Sequence, residues 1–356
     1  MRLAPARRRR EAVQVTKVAI LDDYIGVSLD YGDWSALPAD TEIRVFREAI
    51  PPERLVDELV DYEVVVITQQ RARLPRAVLE ALPNLKLIVC NGRTSNVIDH
   101  QARIERGIML CGTVETGPRI QAQPGQAQAP RGLPAPSEMA WALIFAVAKR
   151  TGIEDRIIRA GGWQTGFPGT LAGKTLGLLG AGRLGGAMVP VAKALGMDVI
   201  AWSRNLTDER CAELGVTRVT KDELVSSADV LGVFLVLSER SRNTLAAADF
   251  ARMKPGAILV NISRGPIVEE AALIEALRSG RLAGAGLDVF DREPLPAEHP
   301  LRSLDNVVLT PHTGYVTEQQ FRAAWQLMAE DVAAFLAGAP IRVVTEPADC
   351  PPMAPH

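Results

Sequence analysis

A strand, a glycine turn and a helix in immediate succession constrain this chain more than any other feature. Leu176-Gly177-Leu178-Leu179 is an apolar run of strand length, Gly180-Ala181-Gly182-Arg183-Leu184-Gly185 follows as GxGxxG, and Met188, Val191 and Leu195 then recur at helical spacing. In that context Gly180 permits a tight turn, Gly182 lets backbone approach a pyrophosphate, and Gly185 lets helix and strand pack closely. Arg183 and Leu184 open the helix whose N-terminus faces the anion. The expected ligand is a dinucleotide.

The rest of the chain repeats the alternation. Strand candidates at Lys17 to Leu21, Glu42 to Phe46, Val64 to Ile67 and Lys86 to Cys90 are separated by amphipathic stretches at Pro52 to Val60 and Pro75 to Ala81. A second series comprises Thr175 to Leu179, Asp198 to Trp202, Asp229 to Leu237, Ala257 to Ile262, Ala285 to Val289 and Val307 to Thr310. Fully apolar strands between helices predict an α/β protein with a Rossmann-type doubly wound parallel sheet. At 356 residues, two domains are expected.

Pro118 to Pro136 is rich in Pro, Gln, Ala and Gly and reads as a loop; Ser137 then caps a helix that ends near Thr151 and Gly152. A last helix through Phe321, Trp325, Met328 and Phe335, with a strand Ile341 to Val344, needs the first sheet as its partner. The expected division is therefore a tail 1–13, a discontinuous substrate domain 14–117 plus 319–347, a loop 118–136, a dinucleotide domain 137–318 and a tail 348–356.

Composition narrows the function. A net charge of −2 provides no basic field for nucleic acid, despite the run Arg7 to Arg10, and no segment has the length or apolarity of a membrane span. With no secretory signal, a cytoplasmic location is expected. Cys90, Cys111, Cys211 and Cys350 stand singly, which predicts reduced thiols and neither disulfides nor a metal site.

Hydride transfer to a keto acid needs a cation for the carboxylate, a proton carrier for the oxygen, and a group that sets the carrier's protonation. Of the four histidines only His312 follows a strand, in Thr310-Pro311-His312-Thr313-Gly314. Arg264, in Asn261-Ile262-Ser263-Arg264-Gly265-Pro266, offers a bidentate fork at another strand end. Glu293 is placed to accept from His312, with Asp288 and Gly314 near the nicotinamide. After Val199 to Trp202, where an NAD-binding chain carries an acidic residue, stand Ser203 and Arg204. A guanidinium there suits a 2′-phosphate, so NADP is favoured over NAD.

Together Leu171 to Gly185, Met253 to Gly265, Gly286 to Phe290 with Glu293-Pro294, and Thr310 to Gly314 resemble the D-isomer-specific 2-hydroxyacid dehydrogenases from about Thr16 to Pro347. The resemblance implies a flavodoxin-like α/β substrate domain, with a cleft between it and the nucleotide domain. It implies further that Arg264 orients the carboxylate of a small 2-keto or 2-hydroxy acid, that His312 moves the proton and that Glu293 pairs with it. The resemblance also implies that backbone amides of the loop Asn91-Gly92-Arg93-Thr94 help to hold the carboxylate and that the chain is a homodimer. A cofactor-sensing scaffold related to the C-terminal-binding-protein corepressors is the competing expectation.

Overall fold

The computed structural model describes residues 15–68, 72–92, 94–113, 133–345 and 353. The chain divides into two compact units, Met1–Gln121 with Glu318–His356, and Ala122–Thr317. Much of the expected Pro/Gln-rich loop, the basic run Arg7 to Arg10, Arg93 and Cys350 lie outside the described residues.

In the first unit β1 (Lys17–Leu21), β2 (Glu42–Val45), β3 (Val64–Ile67), β4 (Leu87–Cys90) and β5 (Met109–Gly112) form a parallel sheet of order β2-β1-β3-β4-β5. This is the flavodoxin-like order, as the resemblance implied. Val64 to Val66 and Leu87 to Val89 are fully buried, as strands covered on both faces must be. Ile341 to Val344, expected as a strand, contributes one antiparallel bridge from Val343 to Cys111. Arg342 has φ of 50°, and a left-handed residue in its second position breaks the extended run.

That arginine closes a buried ion pair. Asp331, on the helix Glu318–Leu336, is fully buried, and its Oδ1 accepts from Arg342 Nε at 2.8 Å while Oδ2 has no hydrogen-bond partner. Leaving one carboxylate oxygen bare disfavours the anion, so burial pushes Asp331 up to about 6 against the pull of Arg342. The folded chain therefore keeps a proton that the unfolded chain releases near the ordinary 3.8. The resulting stability is full below that value and is lost as pH rises through the folded one, in total about 3 kcal/mol. Urea melts between pH 4 and pH 7 should show D331N with a flatter pH dependence than the native chain; parallel curves would refute the assignment.

In the second unit β6 (Thr175–Leu179), β7 (Asp198–Trp202), β8 (Thr217–Arg218), β9 (Val230–Val233), β10 (Ala257–Asn261), β11 (Leu282–Leu287) and β12 (Val307–Leu309) are parallel, in the order β12-β11-β10-β9-β6-β7-β8. The sheet reverses its winding between β6 and β9, the switch point at which such sheets bind ligands. One apolar cluster built on Leu179, Leu231 and Leu259 and another built on Leu176, Leu178 and Val260 cover its two faces. β9 stops four residues before the expected Leu237 because the chain curls, with Ser241 Oγ donating to the Val236 carbonyl at 2.7 Å.

The helix expected to begin after Ser137 spans Ala135–Ala148, with Pro134 at its N-cap. A proline in the first turn forfeits no hydrogen bond, so the Pro-rich composition does not delay the start. Ser137 instead donates from Oγ to the Leu184 carbonyl at 3.0 Å, tying this helix to the one after the glycine turn. Arg150, at φ of 56°, then separates a second helix, Thr151–Arg159. No helix of the described residues is long and apolar enough to cross a membrane.

Candidate active site

At the glycine turn, Gly180 has φ of 104°, and a Cβ there would sit 3.0 Å from the Phe234 carbonyl. The helix Arg183–Ala194 starts behind Gly182, and a Cβ on Gly185 would lie 2.0 Å from the Gly180 oxygen. No side chain fits at either place. Gly182 differs: a Cβ there meets nothing within 4 Å. Open space before the unpaired N–H groups of a helix N-terminus suits a pyrophosphate. At the end of β7, Ser203 is half-buried and Arg204 exposed, leaving the guanidinium accessible.

Three loops follow the neighbouring strands β10, β11 and β12. After β10, Asn261 holds the turn, accepting from Ser263 N–H at 3.0 Å and donating from Nδ2 to the Arg264 carbonyl at 2.9 Å. Arg264 itself is half-buried, with one guanidinium nitrogen on the Ser263 carbonyl at 2.7 Å. A Cβ on Gly265 would stand 2.1 Å from the carbonyl carbon of Phe290, so the arginine turn is pressed against the loop that carries Glu293.

Glu293 is held by Phe290 N–H, which donates to Oε1 at 3.0 Å, and its Oε2 lies 2.6 Å from His312 Nδ1. Nδ1–H donates to the carboxylate, which leaves Nε2 to exchange a proton with a ligand. His312 is only 8% exposed and has φ of 56°, an unusual conformation for a residue with a Cβ.

Asp288 shows what supports that conformation. It is 1% exposed, and its carboxylate accepts from Thr310 Oγ1 at 2.6 Å, Thr313 N–H at 2.8 Å and Gly314 N–H at 2.8 Å. The residue expected beside the nicotinamide thus braces both sides of the histidine. Gly314 fits the same brace, since a Cβ there would be 2.9 Å from Asp288 Oδ2. Tyr315 packs edge-on against the imidazole, with ring centroids 5.5 Å apart. Neither the brace nor the tyrosine is legible in the spacing of the motif.

The first unit modifies another expectation. Asn91 N–H donates to the Ile67 carbonyl at 3.3 Å and Gly92 N–H to Thr113 Oγ1 at 2.8 Å, so neither amide is available for a carboxylate in this conformation. Thr94 Oγ1 faces His100 Nε2 at 3.3 Å, and the same nitrogen lies 2.7 Å from the Ser95 carbonyl. Burial lowers the pKa of His100, as fits a neutral imidazole that ties down this loop. Cys90, Cys111 and Cys211 are buried, and burial pushes the Cys111 thiol up to about 12.

Residues 141–314 match the family model described as the D-isomer specific 2-hydroxyacid dehydrogenase, NAD binding domain. Over 307 residues the chain is 33% identical to a glyoxylate reductase of Thermococcus litoralis, covering 83% of this chain and 88% of that one. It is also 33% identical over 328 residues to a D-3-phosphoglycerate dehydrogenase of Archaeoglobus fulgidus, covering 92% of this chain but 58% of that longer protein. The crystal structure of a phosphoglycerate oxidoreductase from Vibrio cholerae o395 superposes with a TM-score of 0.80 at 31% identity, covering 91% of this chain and 100% of that one.

Proposed function

We propose, for a chain that belongs to the D-isomer-specific 2-hydroxyacid dehydrogenase family, that it reduces a small 2-keto acid with NADPH and in reverse dehydrogenates the 2-hydroxy acid, with NADP+ as hydride acceptor. Such enzymes are oxidoreductases that use a nicotinamide cofactor, and when bound it supplies or accepts the hydride. Gly180, Gly182, Gly185, Arg183 and Leu184 would hold its pyrophosphate, and Ser203 and Arg204 its adenosine ribose. Arg264 pairs with the substrate carboxylate. His312 Nε2 gives its proton to the carbonyl oxygen during reduction and takes it back during oxidation. Glu293 accepts from Nδ1–H and stabilises the imidazolium.

The observation that carries this reading is the 2.6 Å contact between His312 and Glu293, made at the strand end beside the Arg264 turn. The test is a panel of keto acids assayed with NADPH and NADH, with glyoxylate and hydroxypyruvate foremost. Turnover with none would defeat the reading and revive the scaffold, which no specific observation supports. A homodimer belongs to the same proposal. Trp163 and Phe167, 73% and 98% exposed, present apolar surface that a second copy would cover. A monomer in sedimentation equilibrium would exclude it.

The preference for NADPH rests on Arg204 and on the absence of a carboxylate beside Ser203. A charge-assisted hydrogen bond contributes about 1.5–3 kcal/mol, so R204Q should lower the ratio of kcat/KM for NADPH over NADH by roughly tenfold to a hundredfold. An unchanged ratio in R204Q, or native chain that works far better with NADH, would count against this assignment.

A further inference from the structure

The loop carrying Glu293 leaves β11 and has no regular structure before the short helical turn Pro300–Ser303. Its middle is held by Arg302, whose Nε donates to the Pro296 carbonyl at 2.8 Å and whose other nitrogen donates to the Leu295 carbonyl at 2.7 Å. Its two ends meet at one side chain. Glu270 Oε2 accepts from Asp291 N–H at 3.4 Å, and Glu270 Oε1 lies 2.9 Å from His299 Nε2. His299 Nδ1 accepts from Leu301 N–H at 3.3 Å, so the ring proton is on Nε2 and points at the carboxylate.

We infer that Glu270 is a positioning residue for proton transfer: with His299 it closes the 291–299 loop, and so fixes Glu293 against His312. Glu270 is well suited to the task. It opens the helix Glu270–Arg278, where a carboxylate is favoured by the helix dipole, and that helix packs its Leu273 and Leu277 into the core. The clamp therefore ties a loop to a rigid element. Because Asp291 precedes Glu293 by two residues, slack at the first end of the loop reaches the Glu293 carboxylate directly. The inference rests on the proposed acid/base role of His312, and names a residue that acts on it from behind.

The charged groups around Asp291 are Glu270, Arg242 and His299, and partial desolvation with the Glu270 charge raises the Asp291 carboxyl above its ordinary range, although the residue keeps solvent exposure. The alkaline side of the pH profile is accordingly the informative one. Loosening Glu293 weakens its support of the imidazolium, so His312 should lose its proton at lower pH.

The experiment compares E270A, E270Q, H299A and H299Q in the full chain. E270A should lower kcat for keto-acid reduction by about tenfold to a hundredfold, the scale of a misplaced catalytic group. KM for the keto acid and NADPH binding should stay within about twofold, because Arg264 and the glycine turn are untouched. The alkaline fall of the rate should move down by about half a pH unit or more. H299Q, which keeps an N–H donor for Glu270, should recover most of what H299A loses, and E270Q should fall between E270A and the native chain.

NMR titration of His312 provides a second readout that needs no turnover. A downward shift in E270A would support the clamp even if no keto acid proved to be a substrate, so the two proposals can fail separately. An unmoved His312 titration in a folded E270A would overturn the inference. So would a parallel loss of kcat, substrate affinity and cofactor binding, which marks general damage.

Discussion

Replacing His312 by glutamine is expected to lower kcat for keto-acid reduction by about a thousandfold, within the range that general acid catalysis contributes. The amide retains a donor for Glu293, so the half-buried carboxylate, 18% exposed, keeps its hydrogen bond at that position. What disappears is a titratable nitrogen at the position of Nε2. KM for the keto acid should change little, because Arg264 sits on a different loop, and NADPH binding should be that of the native chain. The pH profile gives the sharper distinction. Native reduction should fail as pH rises and the imidazolium is lost, native oxidation should fail as pH falls and the free base is lost, and H312Q should lack both dependences. Undiminished turnover in H312Q would remove histidine from the mechanism.

That such a test can be framed reflects how unevenly the chain discloses itself. The glycine turn is legible because its requirements are local: a positive φ at Gly180 and a 2.0 Å approach at Gly185 admit one residue type, and the flanking periodicities identify strand and helix. The parallel sheets are legible because strands buried on both faces must be apolar throughout. Arg264, Glu293 and His312 could be picked out because each follows such a strand.

The support for those three residues is another matter. Asp288 accepts from residues 22 to 26 positions further on, and Glu270 from residues 21 and 29 positions further on. No local periodicity encodes such pairs, and a carboxylate at a strand end looks the same whether it meets a cofactor or a loop. Asp288, expected near the nicotinamide, also grips Thr310, Thr313 and Gly314, a role that no spacing announces. The expected strand at Ile341 to Val344 fails for a related reason. Its apolar pattern is right, but the Arg342 side chain is held by Asp331 and Glu330 on the preceding helix, in a backbone conformation that a strand excludes.

Arg264→Gln is the change that should most alter what the enzyme accepts. The Arg264 carbonyl is held by Asn261 and the turn is closed by Gly265 against Phe290, so the substitution removes a guanidinium and leaves the backbone in place. Two charge-assisted bonds to a carboxylate, at about 1.5–3 kcal/mol each, place the expected loss in kcat/KM at roughly a thousandfold. The loss should appear in KM as well as kcat, unlike that of H312Q, because the carboxylate is bound before and during proton transfer. Lysine should recover only part of it, since a point charge cannot reproduce the planar fork. A carbonyl compound of similar size without a carboxylate supplies the control. The native chain should reduce it poorly, R264Q should reduce it about as well as the native chain does, and the preference for the acid should collapse. If R264Q kept its native KM and its preference for the acid, the carboxylate would have to be held elsewhere. The search for its partner would then move to other groups, because the Asn91 and Gly92 amides are already committed to Ile67 and Thr113.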